Sequence, residues 1–203
     1  MEMDWKTNMA ELGGAFMVSL LVLGEMGDDG NMVMAGLLLA VTMAAMAGAH
    51  VLPMFTWISA MTGDIQDTDA WMNNGMRLVF QVVGACIAAL LMAEGGDVSA
   101  NADIETWAFD LWGSEESAMD GAVMMLAAGA LMGAIASRCE GWMTAFAVVA
   151  LAGALGAGVD GASMMAGELL GSGDIVASLS HWIVDGVVIG LGAMLGGMLD
   201  EQL

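Results

Sequence analysis

Apolar runs alternate with short polar breaks along the whole chain. The first covers residues 9–26 and ends in the turn Gly27-Asp28-Asp29-Gly30-Asn31. Others cover 32–47, 75–93, 117–136, 141–158 and 180–199. A helix that crosses a bilayer needs roughly 20 mostly apolar residues, so these six runs predict six spans. Two further stretches, 48–61 and 159–171, hold apolar segments too short to cross. The first of them contains Pro53, the only proline in 203 residues. Each short stretch follows two long runs and precedes a third. They predict two half-membrane loops, each carrying a short helix. Polar loops are expected at 62–74 and 94–116.

The order span, span, half-loop, span occurs twice, at about 9–93 and 117–199. An odd number of spans per copy inverts the second copy in the membrane. Inverted repeats with broken helices are a transport architecture, with the pathway where the copies meet. Glu11 opens the first half and Asp120 the second. Gly48-Ala49 begins one half-loop motif and Gly161-Ala162 the other. The expected fold is an all-α membrane protein, one channel domain of six transmembrane helices and two re-entrant half-helices. Irregular backbone is tolerated at membrane depth only inside protein or beside water. Two half-helices meeting end to end would place free N–H groups and positive dipole ends there. Such ends oppose protons and cations, while the carbonyls of the approach segments can pass water or a polyol along.

Composition supports a lipid setting: 59% of residues are hydrophobic and 13% charged, too little charge to cover a soluble domain. The formal charge is −21 with three basic residues, which excludes nucleic acid as a partner. The acid excess reads either as solvated, salt-adapted loops or as a negative mouth that gathers cations. Lys6, Arg77 and Arg138 fall on one side of a six-span layout. That side is then cytoplasmic and holds both termini, and the acidic loop 94–116 is external. The four-residue spacing of Gly186 and Gly190, and of Gly192 and Gly196, suits close helix crossings. The two cysteines, Cys86 and Cys139, have no metal-site spacing and predict no disulfide. The methionines are scattered through every span, so Met54, Met164 and Met165 read as packing residues rather than soft-metal ligands. No nucleophile has a base nearby and no phosphate loop is present. The chain is therefore expected to be no enzyme and to need neither metal nor cofactor.

Several motifs, taken in order, carry a resemblance. These are Ala10-Glu11-Leu12-Gly13-Gly14-Ala15-Phe16, Gly48-Ala49-His50-Val51-Leu52-Pro53-Met54-Phe55-Thr56, Gln81-Val82-Val83-Gly84-Ala85, His181-Trp182 and Gly192-Ala193-Met194-Leu195-Gly196-Gly197. Together they resemble the major intrinsic protein family, the aquaporins and aquaglyceroporins. The resemblance implies a homotetramer with one pore per subunit. It also implies that Glu11 and Asp120 brace the half-loops by accepting backbone N–H bonds, which suits acids that need a partner inside a membrane. The family's Asn-Pro-Ala is Leu52-Pro53-Met54 in the first loop. In the second it is expected at Met165-Ala166-Gly167, which places Glu168 where the family has a filter arginine. Gly36, Gly153 and Ala162 complete the expected filter.

The pore and half-loop set is then His50, Val51, Leu52, Pro53, Met54, Ser163, Met164, Met165, Ala166 and Gly167. Glu168 either lines the outer mouth or braces its half-helix in a loop. His50 reads as a loop-fixing residue, with a pH gate as the alternative. Asp160 and Asp185 either line water or touch a neighbouring subunit. The expected function is passive passage of water or small uncharged solutes such as glycerol through a multi-pass protein of the cell membrane. One alternative is a cation or ammonium channel using Glu168 and the acidic mouth. Another is a non-conducting structural membrane protein of the same fold.

Overall fold

The computed structural model describes residues 4–26, 30–93, 115–155, 161–171 and 174–200; the side chains at 115–120, 153–155, 177 and 199–200 lie outside it. All regular structure among these residues is helical. Helix α1, Trp5–Met26, contains a π-helical stretch at Val18–Val22. It is followed by α2 (Met32–Ala45), α3 (Pro53–Thr62), α4 (Thr68–Met92), α5 (Glu115–Arg138), α6 (Gly141–Leu155), α7 (Gly161–Leu170) and α8 (Ile175–Asp200). Four segments are long and apolar enough to cross a membrane: Trp5–Met26, Thr68–Met92, Gly121–Arg138 and Ser178–Met198. The apolar helices α2 and α6 are shorter, and α3 and α7 have ten residues each. At 1.5 Å per residue, α3 and α7 are about 15 Å long, half of a hydrocarbon core of about 30 Å.

The helix starts follow local capping. Asp4 accepts the Thr7 N–H and hydroxyl at 3.1 and 2.6 Å, which lowers its carboxyl below the usual range. Asn31 caps α2 through the N–H groups of Val33 and Met34. Asp67 does the same for Asp69 and Ala70. That cap corrects the expected loop at 62–74, because α4 starts seven residues before the apolar run that predicts it. Its first two turns carry Thr68, Asp69, Asn73 and Asn74 and are exposed or half-buried, so hydropathy alone misses them. Asp174 likewise accepts the Val176 N–H and starts α8 ahead of residue 180. The loop expected at 94–116 lies outside the described residues up to 114.

Helix pairing has a simple order. α1 crosses α4, α5 crosses α8, and α2 lies against α6. α3 packs on α8 and α7 on α4, and α3 touches α7. Exchanging the first four helices for the last four maps α1–α4 onto α5–α8 and α3–α8 onto α7–α4, and leaves α2–α6 and α3–α7 as they are. The two long crossings are backbone-close. A Cβ on Gly84 would overlap the Leu12 carbonyl, and one on Gly192 would overlap the Leu126 carbonyl. Small residues bring helices this close where lipid supplies no hydrophobic drive between them. Gly186 and Gly190 serve a different contact, leaving room for Trp57 and Met61 of α3. The main apolar core lies between α1, α2, α3, α5, α6 and α8 and includes Val22, Leu39, Leu52, Met132 and Val148.

Candidate functional site at the meeting of two short helices

The chain between α2 and α3 is irregular. Gly48 has φ +93° and Val51 φ +67°. A β-branched residue in the left-handed region is strained by roughly 1–3 kcal/mol and needs support. Leu52 is extended (φ −114°, ψ 137°), as a residue before proline prefers. Pro53 then opens α3, where its missing N–H costs no hydrogen bond. Gly14 gives the loop its seat: a Cβ there would come within 2.8 Å of Val51 Cγ2.

Glu11 provides the support. Its side chain is fully buried. Oε1 accepts the His50 N–H at 2.7 Å and Oε2 the Val51 N–H at 2.8 Å. Gln81 Nε2 donates to Oε2 at 2.7 Å, and Arg77 Nη1 to Oε1 at 3.1 Å. Arg77 Nη1 also reaches the Gly48 carbonyl at 3.5 Å. The guanidinium cancels the buried charge, and four donors satisfy the carboxylate. Gln81 Nε2 donates a second bond, at 3.0 Å, to Thr56 Oγ1 on α3. Thr56 is fully buried, and its Oγ1 also pairs with His50 Nδ1 at 3.1 Å. One acid on α1 thus ties α4, the loop and the first turn of α3 together.

Gly161, the first residue of α7, stands beside Pro53, the first residue of α3. A Cβ on Gly161 would lie 3.8 Å from Pro53 Cγ and 3.4 Å from Trp182 Nε1. The described ends of the two short helices therefore meet. The α7 residue beside Pro53 is Gly161; Met165, Ala166 and Gly167 lie further along that helix. Glu168 is the eighth residue of α7 and half-buried, about 10 Å along the axis from Gly161. The third residue, Ser163, lies within the first turn.

The remaining expected residues fall as follows. Leu52 and Met54 are buried in the main core. Ala162 and Ala166 pack with Ala15 and Ala85, seating α7 on α1 and α4. Met165 is buried, and Ser163, Met164 and Gly167 are half-buried. Gly36 is buried where a Cβ would come within 2.6 Å of the Phe146 ring, at the α2–α6 crossing. The side chains of Asp120 and Gly153's surroundings, and all of Asp160, lie outside the described residues.

Sequence reasoning gave Arg77 only a place in the charge count. Paired with Glu11, it belongs to the brace. A sign was available: an arginine four residues before Gln81 puts both on one face of a helix, and Glu11 is the acid of the first run that needs partners. The same face of α4 also carries the close-crossing Gly84. Among the described residues, no group of His, Cys, Asp and Glu is placed to hold a metal ion. The arrangement shapes and neutralises a bent backbone rather than activating a nucleophile. No protein-family model, no curated protein and no solved structure matches this chain.

Proposed function

We propose that the chain is a passive membrane channel for water and small uncharged solutes such as glycerol. In this reading α1, α2, α4, α5, α6 and α8 cross the bilayer, and α3 and α7 re-enter from opposite faces. The observation that carries it is the convergence of Pro53 and Gly161, the first residues of two ten-residue helices. Exchange of the two halves, which leaves the set of helix pairings unchanged, supports an inverted repeat at about 9–93 and 117–199. Two helix N-termini facing each other at mid-membrane disfavour cations. Glu11 takes up the N–H groups of His50 and Val51, which frees the carbonyls of that segment for a permeant. Glu168, two turns from the meeting point, adds no carboxylate there, so the neutral permeant is preferred over a cation or ammonium. Ser163 takes the filter position first assigned to Glu168. The membership in the major intrinsic protein family, the homotetramer and the cytoplasmic termini in the cell membrane belong to this same reading.

A closed, structural membrane protein is the second reading, and the burial of Leu52 and Met54 in the core favours it. Osmotic shrinkage of proteoliposomes separates the two. Water or glycerol flux several-fold above that of empty vesicles is expected. Flux equal to that of empty vesicles for both solutes sinks the channel.

A further inference from the structure

Two polar atoms are unpaired inside the packing of α3 on α8. Asp185 of α8 is 8% exposed, and its Oδ1 is buried without a hydrogen-bond partner among the described residues. Trp57, the fifth residue of α3, is 9% exposed, and its Nε1–H is buried and unpaired in the same way. Buried polar groups are nearly always satisfied, and an exception calls for a partner. The two residues meet at one helix contact. Gly186 directly follows Asp185, and a Cβ on Gly186 would overlap the Trp57 indole at Nε1. The N–H edge of the ring therefore lies on the α8 backbone beside Asp185, yet the two are not bonded to each other.

His181, one turn earlier on α8, interacts electrostatically with Asp185, and the register of the two halves explains why Oδ1 still has no hydrogen-bond partner among the described residues. Gly192 takes the place of Gly84, so Asp185, seven residues earlier, takes the place of Arg77. Arg77 has Glu11 as its partner. In the second half Met125 stands where Glu11 does, and a thioether cannot pair with a carboxylate.

We propose that Trp57 Nε1 and Asp185 Oδ1 form a binding site for one hydroxyl group, which accepts from the indole and donates to the carboxyl. The indole is only a donor. The carboxyl oxygen accepts whether Asp185 is ionised or carries its proton on the other oxygen. A hydroxyl does both at once, and with two bonds of about 2.8 Å it spans a gap of up to about 5.5 Å. A cation would satisfy Asp185 alone and leave the N–H unpaired; an anion would do the reverse. The hydroxyl belongs to water or to a small polyol. This choice of ligand rests on the channel reading, because α8 also lines the meeting point through Trp182 beside Gly161.

The test uses the full chain in detergent micelles with the tryptophan indoles labelled with nitrogen-15. The Trp57 resonance is assigned by its disappearance in Trp57→Phe. A cross-peak between the Trp57 N–H and water is expected if water is the ligand. A saturable shift with glycerol, absent with sucrose, is expected if a polyol is. Asp185→Asn, which keeps an oxygen acceptor, retains the response, and Asp185→Leu loses it. A Trp57 N–H that shows neither signal in the native chain overturns the inference, as does a response unchanged by Asp185→Leu. Binding is read here without flux. An occupied site in vesicles that conduct nothing defeats the channel reading, whereas flux past an empty site defeats this one.

Discussion

Glu11→Ala is expected to leave little folded protein at room temperature. The substitution strips acceptors from two main-chain N–H groups, from the Gln81 amide and from the Arg77 guanidinium, all at a fully buried position. Breaking a buried ion pair by removing one partner costs about 3–5 kcal/mol. Each buried donor left without a partner adds about 1–3 kcal/mol. The sum reaches the whole stability of an ordinary domain, about 5–15 kcal/mol. Val51 also loses what holds it at positive φ, so the loop should relax even where the helices survive. Glu11→Gln keeps one oxygen acceptor and turns an NH₂ toward donors, so it should fall between the two. Size-exclusion profiles and thermal unfolding in detergent read this directly. A Glu11→Ala protein that melts within a degree or two of the native one removes the brace from the account.

The helix crossings come next. Gly84→Ala and Gly192→Ala should each destabilise the fold, and by similar amounts. The added methyl meets a carbonyl of the facing backbone, Leu12 in one case and Leu126 in the other. A side chain can swing aside, whereas a helix backbone must move as a unit. The cost belongs at or above the upper end of the 1–3 kcal/mol typical of overpacking. Helix propensity runs the other way and favours alanine by about 1 kcal/mol, so destabilisation can only come from the contact. Gly75→Ala supplies the control. It lies in α4, is exposed and has open space around it, so it should melt at or above the native temperature. Equal melting of all three variants would mean that α1–α4 and α5–α8 are not the close crossings described.

Much of this was legible in the amino-acid order. The apolar runs locate the long helices because burial in lipid selects composition along whole segments. Pro53 announces the start of α3, since proline is tolerated at a first helical position and almost nowhere else in a helix. Glu11 announces a buried acid that needs partners. The partners themselves are remote: Gln81 is 70 residues away and Arg77 is 66, and only packing of α1 on α4 unites them. The second short helix was legible too, since the stretch 159–171 contains α7, Gly161–Leu170. Which of its residues meets Pro53 was not, because no proline marks it and in a chain with 29 glycines a repeated Gly-Ala carries little information. The polar beginning of α4 hid from a hydropathy reading because capping by Asp67, not burial, sets it.

In a channel of this kind α3 and α7 enter from opposite faces and stop at the middle. Single cysteines read this, in a chain whose Cys86 and Cys139 are first replaced by alanine. Gln66→Cys follows α3 and Val176→Cys follows α7, both at exposed positions. If both short helices re-enter, a membrane-impermeant thiol reagent applied to one side labels one of these variants, and the other reacts only after the membrane is opened. If only the four long helices cross, or if all eight cross, residues 66 and 176 fall on the same side. Labelling of both from one face would contradict the account.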